Sequence, residues 1–195
     1  MKKLLWLLGV ILTCSWLTAS PALAQSPTEY VRGILTGVMG IQNNPSLSHQ
    51  ARADEIRQII RSNFDFHTMA RDVLGATYNQ LGSGQRDQFI NTFTYLFQDS
   101  YTRMVLNFLK NENIKYGAAS QEGNRAKVAT VIERPNENIP VTYMLQTAGG
   151  WKLYDVVVDG VSILNTYRTK FSDVIRTKGF GFLMERMNEQ RRAVE

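Results

Sequence analysis

Residues 85–110 read QRDQFINTFTYLFQDSYTRMVLNFLK, and the rest of the chain is organised around this stretch. Apolar residues recur at three- and four-residue steps, the period of an α-helix, and they do so twice. Phe89, Phe93, Leu96, Met104 and Phe108 form one stripe; Ile90, Phe97, Tyr101, Val105 and Leu109 form a second beside it. A surface helix of a globular protein buries a single stripe. A helix apolar over this much of its girth must touch other elements on two sides, or touch a ligand. Gly82-Ser83-Gly84 punctuates the chain before it. Ser83 is the expected N-cap, which puts Arg86 where a capping box needs Glu or Gln.

Downstream the period changes from 3.6 to 2. Four strand-like segments follow, at 113–118, 125–133, 139–146 and 151–158. Ala148-Gly149-Gly150 joins the last two as a hairpin, because glycine reaches positive φ without a steric penalty. Pro135-Asn136-Glu137-Asn138 supplies the turn before. All the connections are short, so the sheet is expected to be an antiparallel meander. Val128, Thr130 and Ile132 alternate with Ala129 and Val131; Val141, Tyr143 and Leu145 flank Met144; Val156, Val157 and Val158 run together. A sheet with one wet face alternates more cleanly, so both faces are expected to be covered in part.

Upstream, residues 28–42 carry Tyr30, Val31, Ile34, Leu35 and Val38 at helical spacing, and Asn43-Asn44-Pro45 stops them. A second helix over 48–63 places Ile56, Ile59 and Ile60 on one face. Asp65 is positioned to cap a short helix ending at Leu74 and Gly75, and a further turn carries Tyr78 and Leu81. After the strands, Asp159-Gly160 turns the chain into a helix over 161–176 whose stripe is Leu164, Tyr167, Arg168, Phe171, Val174 and Ile175. Gly179 opens the last helix. The expected fold is α+β: a four-stranded antiparallel meander packed against about six or seven helices, with an apolar pocket between them.

The chain opens as a secretory signal peptide does. Lys2 and Lys3 precede an apolar run from Leu4 to Ala19, and Ala22-Leu23-Ala24 forms the small-residue cleavage pattern. The run is shorter than the roughly 20 residues of a bilayer span. Residues 1–24 are therefore expected to be removed and 25–195 to form one exported, soluble domain. The single cysteine, Cys14, lies in the run behind Thr13, a poor residue before a lipidated cysteine. Without it the chain has neither disulfide, thiol chemistry nor cysteine-ligated metal. The net charge is +5, two of it from Lys2 and Lys3, and the remaining basic residues are scattered. A nucleic-acid partner would call for a clustered basic stripe, so none is expected.

A catalytic constellation is equally hard to assemble. His49 and His67 lie in separate helical regions without metal-ligand spacing. His67 beside Asp65 reads as a residue of the capping region, and Asp155 and Asp159 as a cation's partner and a turn residue. No nucleophile elbow, phosphate loop or dinucleotide fingerprint is present. The excess is apolar: nine Phe and eight Tyr lie outside the signal peptide. If the doubly striped helix, the sheet and the Tyr167–Phe171 helix stand apart instead of meeting, the gap is a dry cavity. An acyl chain buried there gains about 0.8 kcal/mol per CH₂.

Several segments resemble one family. Phe64-Asp65-Phe66-His67-Thr68-Met69-Ala70-Arg71-Asp72-Val73-Leu74-Gly75 is similar to the F-D-F-x-x-M-A-R-x-V-L-G segment of the MlaC, or toluene-tolerance, family of periplasmic phospholipid-binding proteins. Gln85-Arg86-x-x-Phe89, Trp151-Lys152-Leu153-Tyr154-Asp155-Val156, Gly160-Val161-Ser162 and Tyr167-Arg168-x-x-Phe171 resemble further motifs of that family, in the same order and spacing. Tyr78 stands where Trp is usual, Gly82-Ser83-Gly84 where Thr/Ser-Pro is usual, and Thr166 where Asn is frequent. The resemblance implies a monomeric carrier, not an enzyme, that moves phospholipid between the outer membrane and an inner-membrane ABC transporter complex and so maintains outer-membrane lipid asymmetry. An outer-membrane lipoprotein complex is the implied partner at the other end. No metal or cofactor is implied. Some relatives belong to hopanoid pathways, which keeps another lipid open as the ligand; a small cavity enzyme of the isomerase or dehydratase kind, with Asp155 or His67 as base, is the competing reading.

On this reading the residues expected against the acyl chains are, in the first half, Leu74, Tyr78, Phe93, Phe97 and Tyr101. On the strands they are Val131, Tyr143, Leu145, Val156 and Val158, and on the following helix Ile163, Leu164, Tyr167 and Phe171. Strand register decides which of these face inward. Arg71 and Arg168 lie among apolar neighbours in the sequence, and a buried guanidinium needs a partner. Either an internal carboxylate (Asp65, Asp72 or Asp155) or the phosphate of a lipid headgroup would supply one.

Overall fold

The protein's structure, a computed structural model, describes residues 25–194. The expected signal peptide lies outside them. The first half is helical: α1 (Pro27–Gln42), α2 (His49–Asn63), α3 (Phe66–Leu74), α4 (Ala76–Gln80) and α5 (Ser83–Phe108). Each start has a local cause. The Ser26 hydroxyl accepts the Glu29 N–H at 3.2 Å and Ser48 accepts that of Ala51 at 3.1 Å. Asp65 accepts the Thr68 N–H at 3.0 Å, satisfying a donor that the first turn leaves free. Gly75 (φ 54°) takes a left-handed conformation between α3 and α4. The N-cap of α5 is Gly82, one residue earlier than expected. Gln85 thereby becomes the third helical residue and accepts the Gly82 N–H at 3.1 Å, the reciprocal half of a capping box. Arg86 turns back instead, bonding the Tyr78 and Asn79 carbonyls and lying 4.9 Å from the Tyr78 ring.

The sheet runs β1 (Asn113–Glu122), β2 (Arg125–Glu133), β3 (Asn138–Thr147), β4 (Trp151–Val158) and β5 (Val161–Ser162), antiparallel and in sequence order. Five strands replace the expected four. Ser162 is the N-cap of α6 (Ile163–Lys178), and an N-cap has extended φ/ψ. The residues expected to begin that helix therefore pair with Val157 and Val158. β1 also runs past its expected end at Ala118, to a two-residue turn at Gly123-Asn124, because a bulge at Gly117-Ala118 absorbs the irregularity that reads as a stop. The last helix is α7 (Phe180–Val194).

Both faces of the sheet are not covered throughout. β2 alternates cleanly, with Ala126, Val128, Thr130 and Ile132 buried and Arg125, Lys127 and Ala129 exposed. Only β4 is enclosed: Leu153, Tyr154, Asp155 and Val156 are all buried, where α2, α3 and α6 pack on it. Here the pairing with β3 slips. Leu153 faces Leu145 and Asp155 faces Met144, so Tyr154 is an extra residue, a β-bulge. Past the bulge the inward set changes from odd to even numbers. Leu153, Val156 and Val158 share one side, and Asp155 goes to the other.

The expectation that α5 touches other elements on two sides is met in its first half. It packs on α2, α3 and α7, and its Phe89, Phe93 and Phe97 are fully buried. Phe93 stacks on Phe89 at 5.6 Å, lies tilted against Phe97 at 5.9 Å and meets Tyr167 and Phe171 of α6 edge-on at 5.5 Å and 6.2 Å. Edge-on and offset aromatic pairs add to the burial of the rings. Truncating the centre of this ladder, Phe93→Ala, is expected to lower unfolding free energy by about 3–5 kcal/mol. Phe108→Ala, at the 53%-exposed end of the same helix, should cost far less; denaturant midpoints measured on both variants check the contrast.

Candidate functional site: an apolar cavity under the sheet

Beyond Phe97 the second half of α5 and the sheet do not close on each other. Between them lies a cavity of about 190 Å³. Its helical walls are Ile34, Leu35 and Val38 of α1, Ile56, Ile59 and Ile60 of α2, and Tyr101, Met104 and Val105 of α5. Its ceiling is Ile132, Val141, Tyr143, Leu153, Val156 and Val158. Phe108 and Leu109 stand at one end, and Phe108 is half exposed there, so the cavity opens at the tip of α5. The bulge in β4 is what admits Val156 and Val158 and keeps the Asp155 carboxylate out.

The lining is apolar apart from two hydroxyls, on Tyr101 and Tyr143. Burial pushes both phenols well above their ordinary value, with the negative charge of Asp155 adding to the shift at Tyr101. They stay neutral across any physiological pH. Neutral hydroxyls in a dry cavity offer an ester or hydroxyl a hydrogen bond without imposing a charge.

A groove of about 460 Å³ lies beside the cavity, between α5 and α6, and has Met104 and Val158 in common with it as lining. Val161, Ile163, Tyr167 and Phe171 line it, with Ser100, Thr166, Lys170 and Gln190 at its polar margin. The cavity falls below the roughly 300–1,000 Å³ of small-molecule pockets, and the groove lies within that range.

A third space is of another kind. Arg71, Asp72, Gly75, Asp155, Ser162, Leu164, Asn165 and Arg168 border a polar depression of about 410 Å³. Asp155 is its floor. The carboxylate accepts the N–H groups of Val156 at 2.8 Å and Leu164 at 2.9 Å, and the Ser162 hydroxyl donates to it as well. Arg71 and Arg168 are not buried as expected. The Arg71 side chain is 58% exposed and lies 3.8 Å from Asp72, and Arg168 is exposed, without an ion pair among the described residues. Both border the depression and not the cavity, because their helices α3 and α6 turn these positions away from the sheet.

The structure thus divides the expected acyl-chain residues. Tyr101, Tyr143, Val156 and Val158 line the cavity, and Ile163, Tyr167 and Phe171 line the groove. Phe93, Phe97 and Leu145 are packed core and Leu74 is buried on α3. Tyr78 is half buried beneath Arg86. Leu164 borders the depression. Val131 sits opposite Pro140 and Lys115, on the other face of β2 from Ile132, which takes the inward place. Sequence reasoning missed the contributions of α1 and α2. Their stripes were visible, but any helix shows such a stripe whether it meets a neighbour or a void. His49 and His67 are exposed. Burial alone would raise Asp65, but hydrogen bonds from Thr68 and Gln146 and the nearby His67 outweigh it and hold this capping carboxyl below its ordinary value.

The geometry is that of an α+β binding fold built around an apolar cavity open at one end. A family model described as MlaC protein matches residues 34–189, and the chain belongs to that family. It is 25% identical over 174 residues to the toluene tolerance protein ttg2D of Pseudomonas putida, covering 80% of this chain and 76% of that one. It is 24% identical over 201 residues to the intermembrane phospholipid transport system binding protein MlaC of Haemophilus influenzae, covering 97% and 93%. The fold is shared with the phospholipid-binding protein of Ralstonia solanacearum, solved in complex with a phospholipid: TM-score 0.76 at 22% identity, covering 87% of this chain and 98% of that one.

Two outcomes follow from the site. Val156→Glu should reduce uptake of an apolar fluorescent probe roughly tenfold or more, since an unpaired carboxylate in the lining is costly, while Val131→Glu on the opposite face leaves uptake intact. Burial also pushes Tyr30 up to about 12. With Tyr30, Tyr101 and Tyr143 all raised, the unfolded chain releases these protons first, near pH 10. Stability should hold below about pH 10 and fall as pH rises through about 12; Tyr143→Phe should flatten that decline in pH-dependent unfolding.

Proposed function

We propose that this protein is a soluble carrier of phospholipid, with its acyl chains in the cavity and along the α5–α6 groove and its headgroup facing solvent beyond the tip of α5. The observation that carries the reading is the pairing of two largely apolar spaces side by side, with Met104 and Val158 lining both. A ligand with two chains can occupy such a pair of neighbouring spaces, and a compact metabolite does not need them. Each buried CH₂ contributes about 0.8 kcal/mol, so chains of lipid length bind tightly with few polar contacts. Family membership and the phospholipid bound by the Ralstonia solanacearum protein support the ligand class.

The same proposal assigns the chain a place in the periplasm, after cleavage of residues 1–24, between an outer-membrane lipoprotein complex and an inner-membrane ABC transporter. It binds its ligand without transforming it. Support comes from the transport-system name of the Haemophilus influenzae relative, and from the absence among the described residues of any helix long and apolar enough to cross a membrane.

Native mass spectrometry of the purified mature protein, with lipid extraction, tests this. About one phospholipid per chain is the expected result. A protein that emerges empty, and remains empty after incubation with phospholipid vesicles, refutes the carrier; a bound lipid without phosphate redirects it to another lipid class.

A further inference from the structure

The tip of α5 is where the cavity meets solvent, and one side chain outside the lining ties it to the sheet. Phe108 and Leu109 border the opening from the helix, and Ile132 and Ile139 from the strands. Arg134, directly after β2, stands between them. Its Nη2 donates to the Phe108 carbonyl, its Nη1 bonds Glu137 at 3.0 Å and its Nε lies 3.4 Å from Glu112. The guanidinium also lies 5.5 Å from the centre of the Phe108 ring. Arg134 is only 20% exposed and Glu112 15%. Three segments therefore converge on one cation: the last turn of α5, the loop before β1 and the β2–β3 turn.

The surroundings make this contact decisive for the opening. α5 packs on α2, α3 and α7, whereas the sheet is met by α1, α2, α3 and α6. The cavity lies between the second half of α5 and the strands. Gln42 also holds the tip of α5, through the Val105, Leu106 and Leu109 carbonyls at 2.7–3.2 Å. That tie runs to α1, along the same wall, and does not span the gap. Arg134 does.

We propose that Arg134 is a positioning residue that clasps the cavity mouth, holding Phe108 against the margin of the sheet and so setting how fast an apolar ligand enters and leaves. The inference rests on the reading of the cavity as a lipid site. A guanidinium presents five donors in a fixed fork, so it serves a carbonyl and two carboxylates at once, which a lysine cannot. An exposed ion pair contributes little, but this one is mostly covered, and its charges are less screened than surface charges. The cavity is narrower than small-molecule pockets usually are, so passage of a lipid requires a wall to move. Because Arg134 does not line the cavity, its loss changes the barrier to passage and leaves the apolar binding surface as it was.

The test compares wild type with Arg134→Met, Arg134→Lys and Glu112→Gln, each loaded with a fluorescent phosphatidylglycerol. Transfer to acceptor vesicles of phosphatidylethanolamine and phosphatidylglycerol is followed by stopped flow. Bound lipid per chain is measured by mass spectrometry. Arg134→Met should transfer roughly tenfold faster, the effect of losing a charged hydrogen bond of about 1.5 kcal/mol, at unchanged lipid per chain. Arg134→Lys should fall between, and added salt should accelerate wild type but not Arg134→Met. Glu112→Gln, which keeps the bond to Phe108, carries the test if Arg134→Met fails to fold. Wild-type rates in these variants at normal loading overturn the clasp, and so does a loss of loading, which would make Arg134 part of the binding surface or the fold. A wild type that binds no phospholipid defeats the carrier reading instead. The clasp is then judged by hydrogen exchange: faster exchange at residues 109–113 in Arg134→Met upholds it, and unchanged protection overturns it.

Discussion

The Asp155 carboxylate is the point on which the rest of the structure turns. It is 9% exposed and accepts two backbone N–H groups and a serine hydroxyl. Charge-assisted hydrogen bonds of this kind are short and directional. They join the bulge in β4 to the start of α6 and leave no freedom in either. The bulge in turn moves Val156 and Val158 to the inner side of the sheet, and the docked α6 brings Tyr167 and Phe171 against the aromatic ladder of α5. A carboxylate that could have pointed into the cavity instead builds its outside wall.

With that frame in place, the cavity follows from where the packing stops. Phe89, Phe93 and Phe97 pack the inner face of the first half of α5 without a gap. From Tyr101 onward the same helix faces the strands across a gap, with the groove toward α6 on one flank and α1 and α2 on the other. The tip of α5 would be a free end were it not bonded to Gln42 on α1 and to Arg134 on the sheet. The protein therefore combines a rigid, densely packed half with a half whose walls are held mainly at their edges. A binding protein that must both retain and release an apolar ligand needs this division, because a close-packed core does not deform continuously.

Much of this was legible in the sequence. The double stripe of residues 85–110 announced a helix with partners on two sides, and it has helices on two sides in one half and a cavity in the other. The capping residue Asp65, the Gly149-Gly150 hairpin and the meander order all read correctly, because each depends on interactions within a few residues. The miscounted strand, Val161–Ser162, had no such local signature. Two residues are too few to show a period of two, and their pairing with Val157 and Val158 exists only once β4 is present. Among the residues expected against the acyl chains, Tyr143, Val156 and Val158 line the cavity, while Val131 lies on the other face of β2 from Ile132, a neighbour that differs from it in register alone.

Arg71 and Arg168 mark the boundary between the two kinds of information. Their sequence neighbours are apolar, yet both side chains leave the helices on the solvent side and border a depression that the cavity does not reach. The sequence alone determined every element but the two-residue β5, their order, the fold class and the apolar excess, since propensity, capping and hydrophobic period are local properties of the chain. The tertiary structure alone decided which faces of those elements meet and which stand apart. A stripe of apolar residues looks the same whether it faces another helix or a void, and only the distances between packed elements, set here by the β4 bulge and the Arg134 contact, distinguish the two.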